Sequence, residues 1–208
     1  MKKPKLRELK YAIEALIKGP YTSKFPKAPA VVPEHFRGVP TYVPDDCVGC
    51  GACGQVCPAG AITVIDEYRE DLKRMVRRIE RNWGSCIMCS QCFVYCITKK
   101  GIILDKNFEK STTDPADFID TQDKELVFCE KCGGPITTVD HMRWMADKLG
   151  ELAFGNQTLT VARMRSLGLA QDGAPRQAER NFERSDYLRA LCPNCRAAYI
   201  LSDEWGES

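Results

Sequence analysis

The chain has 208 residues, with 30 Lys and Arg against 28 Asp and Glu, a formal net charge of +2. That balance argues against a protein that wraps nucleic acid, whose affinity rests on neutralising phosphates. The length suits one domain with appendages or two small ones, and no run approaches the ~18–20 apolar residues of a transmembrane helix. The start, where Lys2, Lys3, Lys5 and Arg7 alternate with Leu6 and Leu9, lacks the apolar middle of a secretory signal, so the expected compartment is the cytosol.

In chain order, Leu6, Leu9, Ile13, Leu16 and Ile17 recur at helical spacing among lysines, and Gly19-Pro20 supplies a stop, which predicts a short amphipathic helix over residues 5–18. Its apolar stripe needs a partner surface. Pro20, Pro26, Pro29, Pro33, Pro40 and Pro44 then mark an extended arm. Two cysteine runs follow at 47–57 and 86–96, an internal duplication, each trailed by a β-like stretch, Ala61 to Ile65 and Gly101 to Leu104. Between the runs, Leu72, Met75, Val76 and Ile79 fit a helix, and a charged hairpin arm fits equally well. Residues 105–125 are acidic and read as a solvated linker. The last part has β-prone stretches at Leu126 to Phe128 and Ala197 to Leu201, each beside a Cys-x-x-Cys. Met142, Met145, Leu149 and Leu152 predict an amphipathic helix between them, and Gly168 to Ser185 reads as polar and mobile.

All twelve cysteines fall into four tight groups with none left over, at spacings that suit metal ligation better than disulfides. Cys47-x2-Cys50-x2-Cys53-x3-Cys57-Pro58 and Cys86-x2-Cys89-x2-Cys92-x3-Cys96 are the runs of an iron-sulfur protein: a tight loop lets three thiolates cap a cubane while the fourth comes from elsewhere. In two-cluster ferredoxins of this spacing the fourth cysteine serves the other cluster. That rule assigns one 4Fe-4S cluster to Cys47, Cys50, Cys53 and Cys96, and a second to Cys86, Cys89, Cys92 and Cys57. Structural zinc favours paired Cys-x2-Cys knuckles instead of three cysteines in one turn. The second run has Ile97 where the first has Pro58, which leaves the ligands intact but alters the local hydrogen bonding expected there.

Lys18-Gly-Pro-Tyr21, Phe36-Arg37-Gly38, the two runs and Asn107-Phe-Glu-Lys-Ser111 resemble the 8Fe ferredoxin-like subunit of respiratory complex I. The resemblance is closest to the variant in formate hydrogenlyase, membrane-bound hydrogenase and sulfane sulfur reductase complexes, which also carries two late Cys-x-x-Cys pairs. It implies an electron relay in a peripheral arm, between a donor such as soluble ferredoxin and catalytic subunits, on the cytoplasmic face of a membrane-embedded anchor subunit. The residues agree: no nucleophile with a base, no phosphate loop and no dinucleotide fingerprint is present, so no independent catalytic site is expected.

Cys129-x2-Cys132 and Cys192-x2-Cys195 form two knuckles whose four thiolates suit Zn2+ or a single rubredoxin-like iron. His35 and His141 read as surface or packing residues, and Trp83 and Tyr95 as packing that shields the second run, with an electron path as the sharper alternative. Arg74, Arg77, Arg78 and Arg81 read as a solvated face or a dock for an acidic partner. The expected architecture is α+β. Residues 1–40 form the docking helix and arm, 41–105 a duplicated bacterial-type two-cluster ferredoxin fold, 106–125 a linker, and 126–208 a zinc-ribbon or rubredoxin-like domain. A free-standing polyferredoxin and a zinc-stabilised assembly factor are the competing readings.

Overall fold

The computed structural model describes residues 5–19, 22, 24–107, 109, 111–170 and 181–202. The chain divides into two units, residues 1–36 and 37–208. In the first, α1 spans Leu6–Lys18. The Glu8 carboxylate accepts the Lys5 amide at its start, and Gly19, at φ +72°, ends it. No residue of α1 is buried. From Lys24 to Gly38 there is neither helix nor strand, as the prolines predict.

The second unit opens with β1 (Val39–Tyr42), which the proline count had hidden inside the arm. It pairs antiparallel with β4 (Ile102–Asp105), register Val39 to Asp105 and Tyr42 to Ile102. Pro40 is tolerated because this sheet has only two strands, both of them edges. The pair brackets the cysteine region, one strand entering it and one leaving. Between them lie two four-residue helices, α2 (Ala52–Gln55) and α3 (Gln91–Val94), and a long hairpin.

That hairpin resolves the segment left open between helix and strand. β2 (Ile62–Arg69) and β3 (Arg74–Asn82) pair antiparallel from Ile62 with Arg81 to Arg69 with Arg74. β5 (Ile119–Phe128) adds to the far side of β3 and β6 (Pro135–Thr138) to β5, giving the order β2-β3-β5-β6. The acidic stretch is therefore not linker throughout. Its last third is β5, and its acids meet the arginine run: Asp123 accepts from Arg78 and Arg69, Glu125 from Arg74, and Asp120 from Arg81, while Asp66 and Glu67 on β2 take Arg77 and Arg78. The arginines are a cross-strand ladder and not a free basic face.

Beyond β6, α4 (Val139–Leu149) starts at a Thr138 cap, whose hydroxyl accepts the His141 amide. α5 (Gln157–Ser166) is capped by Asn156. Met142, Ala146, Ala153 and Leu159 form one small core. Leu149 and Leu152, expected on the buried stripe, are 44% and 77% exposed, because the helix ends at Leu149 and a 3-10 segment turns Leu152 outward. Ala197 to Leu201, expected as strand, belongs to the helix α6 (Pro193–Leu201). Cys192 caps it and Pro193 stands in its first turn, where a missing N–H costs nothing. Most of the stretch expected to be mobile, 171–180, lies outside the described residues; Arg184–Leu188 is a 3-10 turn.

Candidate metal centres

All twelve cysteines are free thiols. The first run starts just beyond β1, where the Cys47 amide donates to the Val43 carbonyl and the Val43 amide to the Gly101 carbonyl, tying the loop to the start of β4. Gly49 and Gly51 sit at φ +67° and +80°, so the chain curls around its own cysteines. The N–H groups of Gly49 and Ala52 turn toward the Cys47 and Cys50 sulfurs. A Cβ on Gly49 would stand 2.9 Å from both Lys124 Cγ and Thr138 Cγ2, which explains the glycine.

The loop lines a small, partly open cavity. Its walls hold Cys47, Cys50 and Cys53 together with Cys96 from the second run, beside Tyr42, Ile79 and Ile102. The Tyr42 hydroxyl lies 3.9 Å from Cys53 Sγ, and Thr98 Oγ1 lies 3.4 Å from Cys96 Sγ, a contact made where the second run lacks its proline. Burial pushes the Cys47 and Cys50 thiols up and the Cys53 thiol up to about 12. Thiols that resist ionising in an apolar pocket, with amides aimed at their sulfurs, are stable as thiolates only on a cation.

The second run takes left-handed backbone at Met88 (φ 51°) and Ser90 (φ 65°), the positions that glycines hold in the first. Non-glycine residues there cost roughly 1–2 kcal/mol each, a strain the loop bears to curl the same way. Cys92 is buried in α3, Cys86 and Cys89 are half-buried, and the thiol of Cys92 is pushed up by burial. Cys57 accepts the Ala61 amide at 3.3 Å and packs against the same core as Cys92. Among the described residues, Ser90 Oγ of this run and Nε and Nη1 of Arg81 are buried without hydrogen-bond partners. Orphaned donors beside half-buried thiols fit a cluster whose sulfurs accept them.

The four late cysteines converge. The Sγ atoms of Cys129, Cys132, Cys192 and Cys195 all lie within 4.8 Å of one another. Cys132 and Cys192 Sγ are 3.8 Å apart, and Cys192 Sγ accepts the Cys195 amide. Burial opposes ionisation of Cys129, yet the amides of Cys132, Cys192 and Lys131 outweigh it and bring this thiol down to about 7. Four thiols in this geometry are the donor set of a closed tetrahedral site. The site is joined to the first run: Thr138 Oγ1 donates to the Val48 carbonyl and Lys124 Nζ to that of Pro44.

His141 packs at the α4 start, its Nδ1 2.7 Å from Thr137 Oγ1, and lies in neither thiol group. Trp83 is buried and stacks on Arg81, whereas Tyr95 is 57% exposed and shields little. Sequence reasoning missed Arg81 as a residue of the site, since it stands in a charge run that looks solvated; its one signal is the pair of aromatics, Tyr42 and Trp83, that sandwich it.

Residues 40–63 match the family model of the 4Fe-4S binding domain. The chain is 45% identical over 53 residues to formate hydrogenlyase subunit 6 of Escherichia coli (strain K12), covering 25% of this chain and 29% of that one. It is 29% identical over 96 residues to NAD(P)H-quinone oxidoreductase subunit I of Gloeobacter violaceus, covering 46% of each, and 35% identical over 60 residues to F(420)H(2) dehydrogenase subunit I of Methanosarcina mazei, covering 29% and 34%. The chain thus spans less than half the length of these relatives. A chain of the membrane-bound sulfane sulfur reductase, an archaeal respiratory membrane complex, is similar at 28% identity and TM-score 0.34, covering 50% of this chain and 54% of that one. Among the described residues no helix is long and apolar enough to cross a membrane.

Proposed function

We propose that this chain, an iron-sulfur protein similar to subunits of formate hydrogenlyase and of quinone oxidoreductases, is an electron-relay subunit. It works in the peripheral arm of a membrane-bound, complex I-like oxidoreductase of the hydrogenase, formate hydrogenlyase or sulfur reductase type, on the cytoplasmic face. Its partners are the neighbouring peripheral subunits, a membrane-embedded anchor and a low-potential donor such as soluble ferredoxin. Cys47, Cys50, Cys53 and Cys96 hold one 4Fe-4S cluster and Cys86, Cys89, Cys92 and Cys57 a second, in a duplicated bacterial-type ferredoxin fold. When bound, each cluster takes up and releases one electron without making or breaking a bond.

The observation that carries this reading is the shared cavity in which Cys96 of the second run joins the three thiols of the first. Crossed ligation of this kind brings two clusters close together, the arrangement a relay needs. Buried Tyr42, Ile79 and Ile102 wall one side of the first cavity, and the amides of Gly49 and Ala52 favour the added negative charge at its sulfurs. Cys129, Cys132, Cys192 and Cys195 hold one Zn2+ in a zinc-ribbon-like site, with a rubredoxin-like iron as the variant. A closed four-thiolate site clamped to the first run by Thr138 and Lys124 serves as a structural brace.

Metal and sulfide analysis of anaerobically purified protein tests the reading. It is expected to give about eight iron and eight acid-labile sulfides per chain, from two cubanes, plus one further metal that the same measurement identifies. Zinc without sulfide would exclude the iron-sulfur reading. Pull-down of tagged chain from detergent-solubilised membranes is expected to bring peripheral and membrane-embedded oxidoreductase subunits; recovery of the tagged chain alone would favour a free-standing carrier.

A further inference from the structure

The two knuckles of the four-cysteine site are far apart in sequence, Cys132 and Cys192 standing 60 positions from each other. Across a plain loop of that length the second knuckle would have to be ordered as the metal binds, and the closure entropy would be subtracted from the metal's affinity. The fold meets this with hydrogen bonds. Ala190 and Leu191, the two residues before Cys192, are buried, and all four of their backbone polar groups are bonded. Glu130, the residue after Cys129, takes both groups of Ala190: its amide donates to the Ala190 carbonyl at 2.9 Å, and its Oε1 accepts the Ala190 amide at 3.2 Å. Thr158, in the first turn of α5, takes both groups of Leu191: Oγ1 donates to the carbonyl at 3.1 Å and accepts the amide at 3.3 Å.

Both side chains are themselves held. Thr158 Oγ1 also accepts Arg196 Nη2, so its one donor and two acceptor positions are all filled, and Arg196 follows Cys195 directly in the chain. Glu130 pairs with Arg165 of α5, and both side chains of this pair are largely buried. The helix α5, which lies within the long insertion between the knuckles, thus reaches the first knuckle through Arg165 and the second through Thr158. No sulfur takes part in these bonds, so they do not depend on a metal.

We propose that Thr158 and Glu130 are positioning residues of the four-cysteine site, and that the helical insertion holds the second knuckle against the first before a metal arrives. Neither residue is a ligand; each acts on the backbone that carries Cys192. The thiols are brought together by the fold, and the metal's affinity keeps what ordering a loop would subtract. Removing the Thr158 hydroxyl leaves the buried N–H and C=O of Leu191 without partners and frees the second knuckle to turn away. This inference rests on the reading above, that Cys129, Cys132, Cys192 and Cys195 hold one metal.

The test measures zinc affinity on the full chain, purified anaerobically, from the zinc retained against graded EDTA, for wild type, Thr158→Val, Thr158→Ser and Glu130→Gln. Thr158→Val, which keeps the shape and loses the hydroxyl, is expected to bind zinc about 10–100-fold more weakly, the range for groups one step removed from a metal. Thr158→Ser, which keeps the hydroxyl, should bind as wild type does, and Glu130→Gln, which loses the ion pair with Arg165, should be weakened about tenfold. The iron content, which a general loss of fold would lower, should be the same in all four. A residue that only stabilised the fold would lower the unfolding midpoints of zinc-free and zinc-bound chain alike and leave the affinity unchanged. Zinc bound as tightly by Thr158→Val as by wild type, or as weakly by Thr158→Ser as by Thr158→Val, would overturn the inference. If Thr158→Val does not fold, Glu130→Gln decides, and wild-type affinity in that variant counts against the inference. Wild type that takes up no zinc removes the metal-site reading and with it the inference; zinc taken up with unchanged affinity in the variants removes the inference alone.

Discussion

At the level of single residues, the spacing of the cysteines carries nearly all of the legible chemistry, because cubane geometry demands three thiolates in one tight turn and tolerates little else. Cys96 makes the point: sequence alone assigns it away from its own run only by a general rule, and the cavity shared with Cys47, Cys50 and Cys53 is independent support. Cys96→Ala is accordingly expected to perturb the EPR signal of the cluster on the first run, and Cys57→Ala that of the cluster on Cys86, Cys89 and Cys92. If each substitution alters only the cluster of its own run, crossed ligation is wrong. Arg81 and Ser90 were not legible in the same way. Whether an arginine in a basic run faces water or a thiol core depends on strand parity and on which aromatics close over it, and neither is written locally. The sandwich needs Tyr42 on β1 and Trp83, just past the end of β3 and 41 positions later in the sequence, to close on Arg81 from two sides.

At the level of elements, the segment between the runs was ambiguous because Leu72, Met75, Val76 and Ile79 satisfy a helical stripe, while the strand they belong to is decided by partners elsewhere in the chain. The acids of β5 settle it. Asp66 and Glu67 on β2 offset only part of the arginine run, and β5 supplies further carboxylates, Asp123 directly opposite Arg78, Asp120 opposite Arg81, and Glu125 paired with Arg74. The same acids, counted without their partners, had looked like a solvated linker. α6 was misread for a different reason: Ala197 to Leu201 is β-prone by composition, but a Cys192 cap followed by Pro193 starts a helix that continues through it. The arginine ladder yields a stability prediction. Asp123 accepts from Arg78 Nε at 3.0 Å and from Arg69 Nη1 at 3.0 Å, with both partners' side chains at most 30% exposed. Asp123→Ala removes one carboxylate from two guanidinium groups that keep Asp71 and Glu67 as partners, and is expected to destabilise the chain by about 0.5–1.5 kcal/mol. Denaturant unfolding of the reconstituted protein checks it. A midpoint within error of wild type would mean that the ladder is solvated after all.

At the level of the whole molecule, the element that the rest of the chain leaves unexplained is α1. Leu6, Leu16 and Ile17 are 87%, 84% and 80% exposed, and Leu9 and Ile13 are half exposed, so the apolar stripe is exposed along its length. A helix of 13 residues is below or at the ~12–15 residues at which isolated helices become marginal in water. Its stability must therefore come from burial against something. Lys5, Arg7, Lys10 and Lys18 flank the stripe, which suits an anionic headgroup layer or an acidic rim on another protein, but one short helix without a lipid anchor holds a bilayer weakly. Under the proposed function the occupant is a membrane-embedded partner subunit, which offers both an apolar groove and a fixed position at the surface. The helix ends at Lys18 and the first strand of the cluster-bearing unit begins at Val39, so removing the helix takes no element from that unit. Deletion of residues 1–20 is expected to leave the iron and sulfide content of the protein unchanged while releasing it from solubilised membrane complexes into the soluble fraction. Co-purification of the truncated chain with its partners in full yield would show that the anchor lies elsewhere. Loss of iron together with release would assign α1 to the folding of the cluster unit.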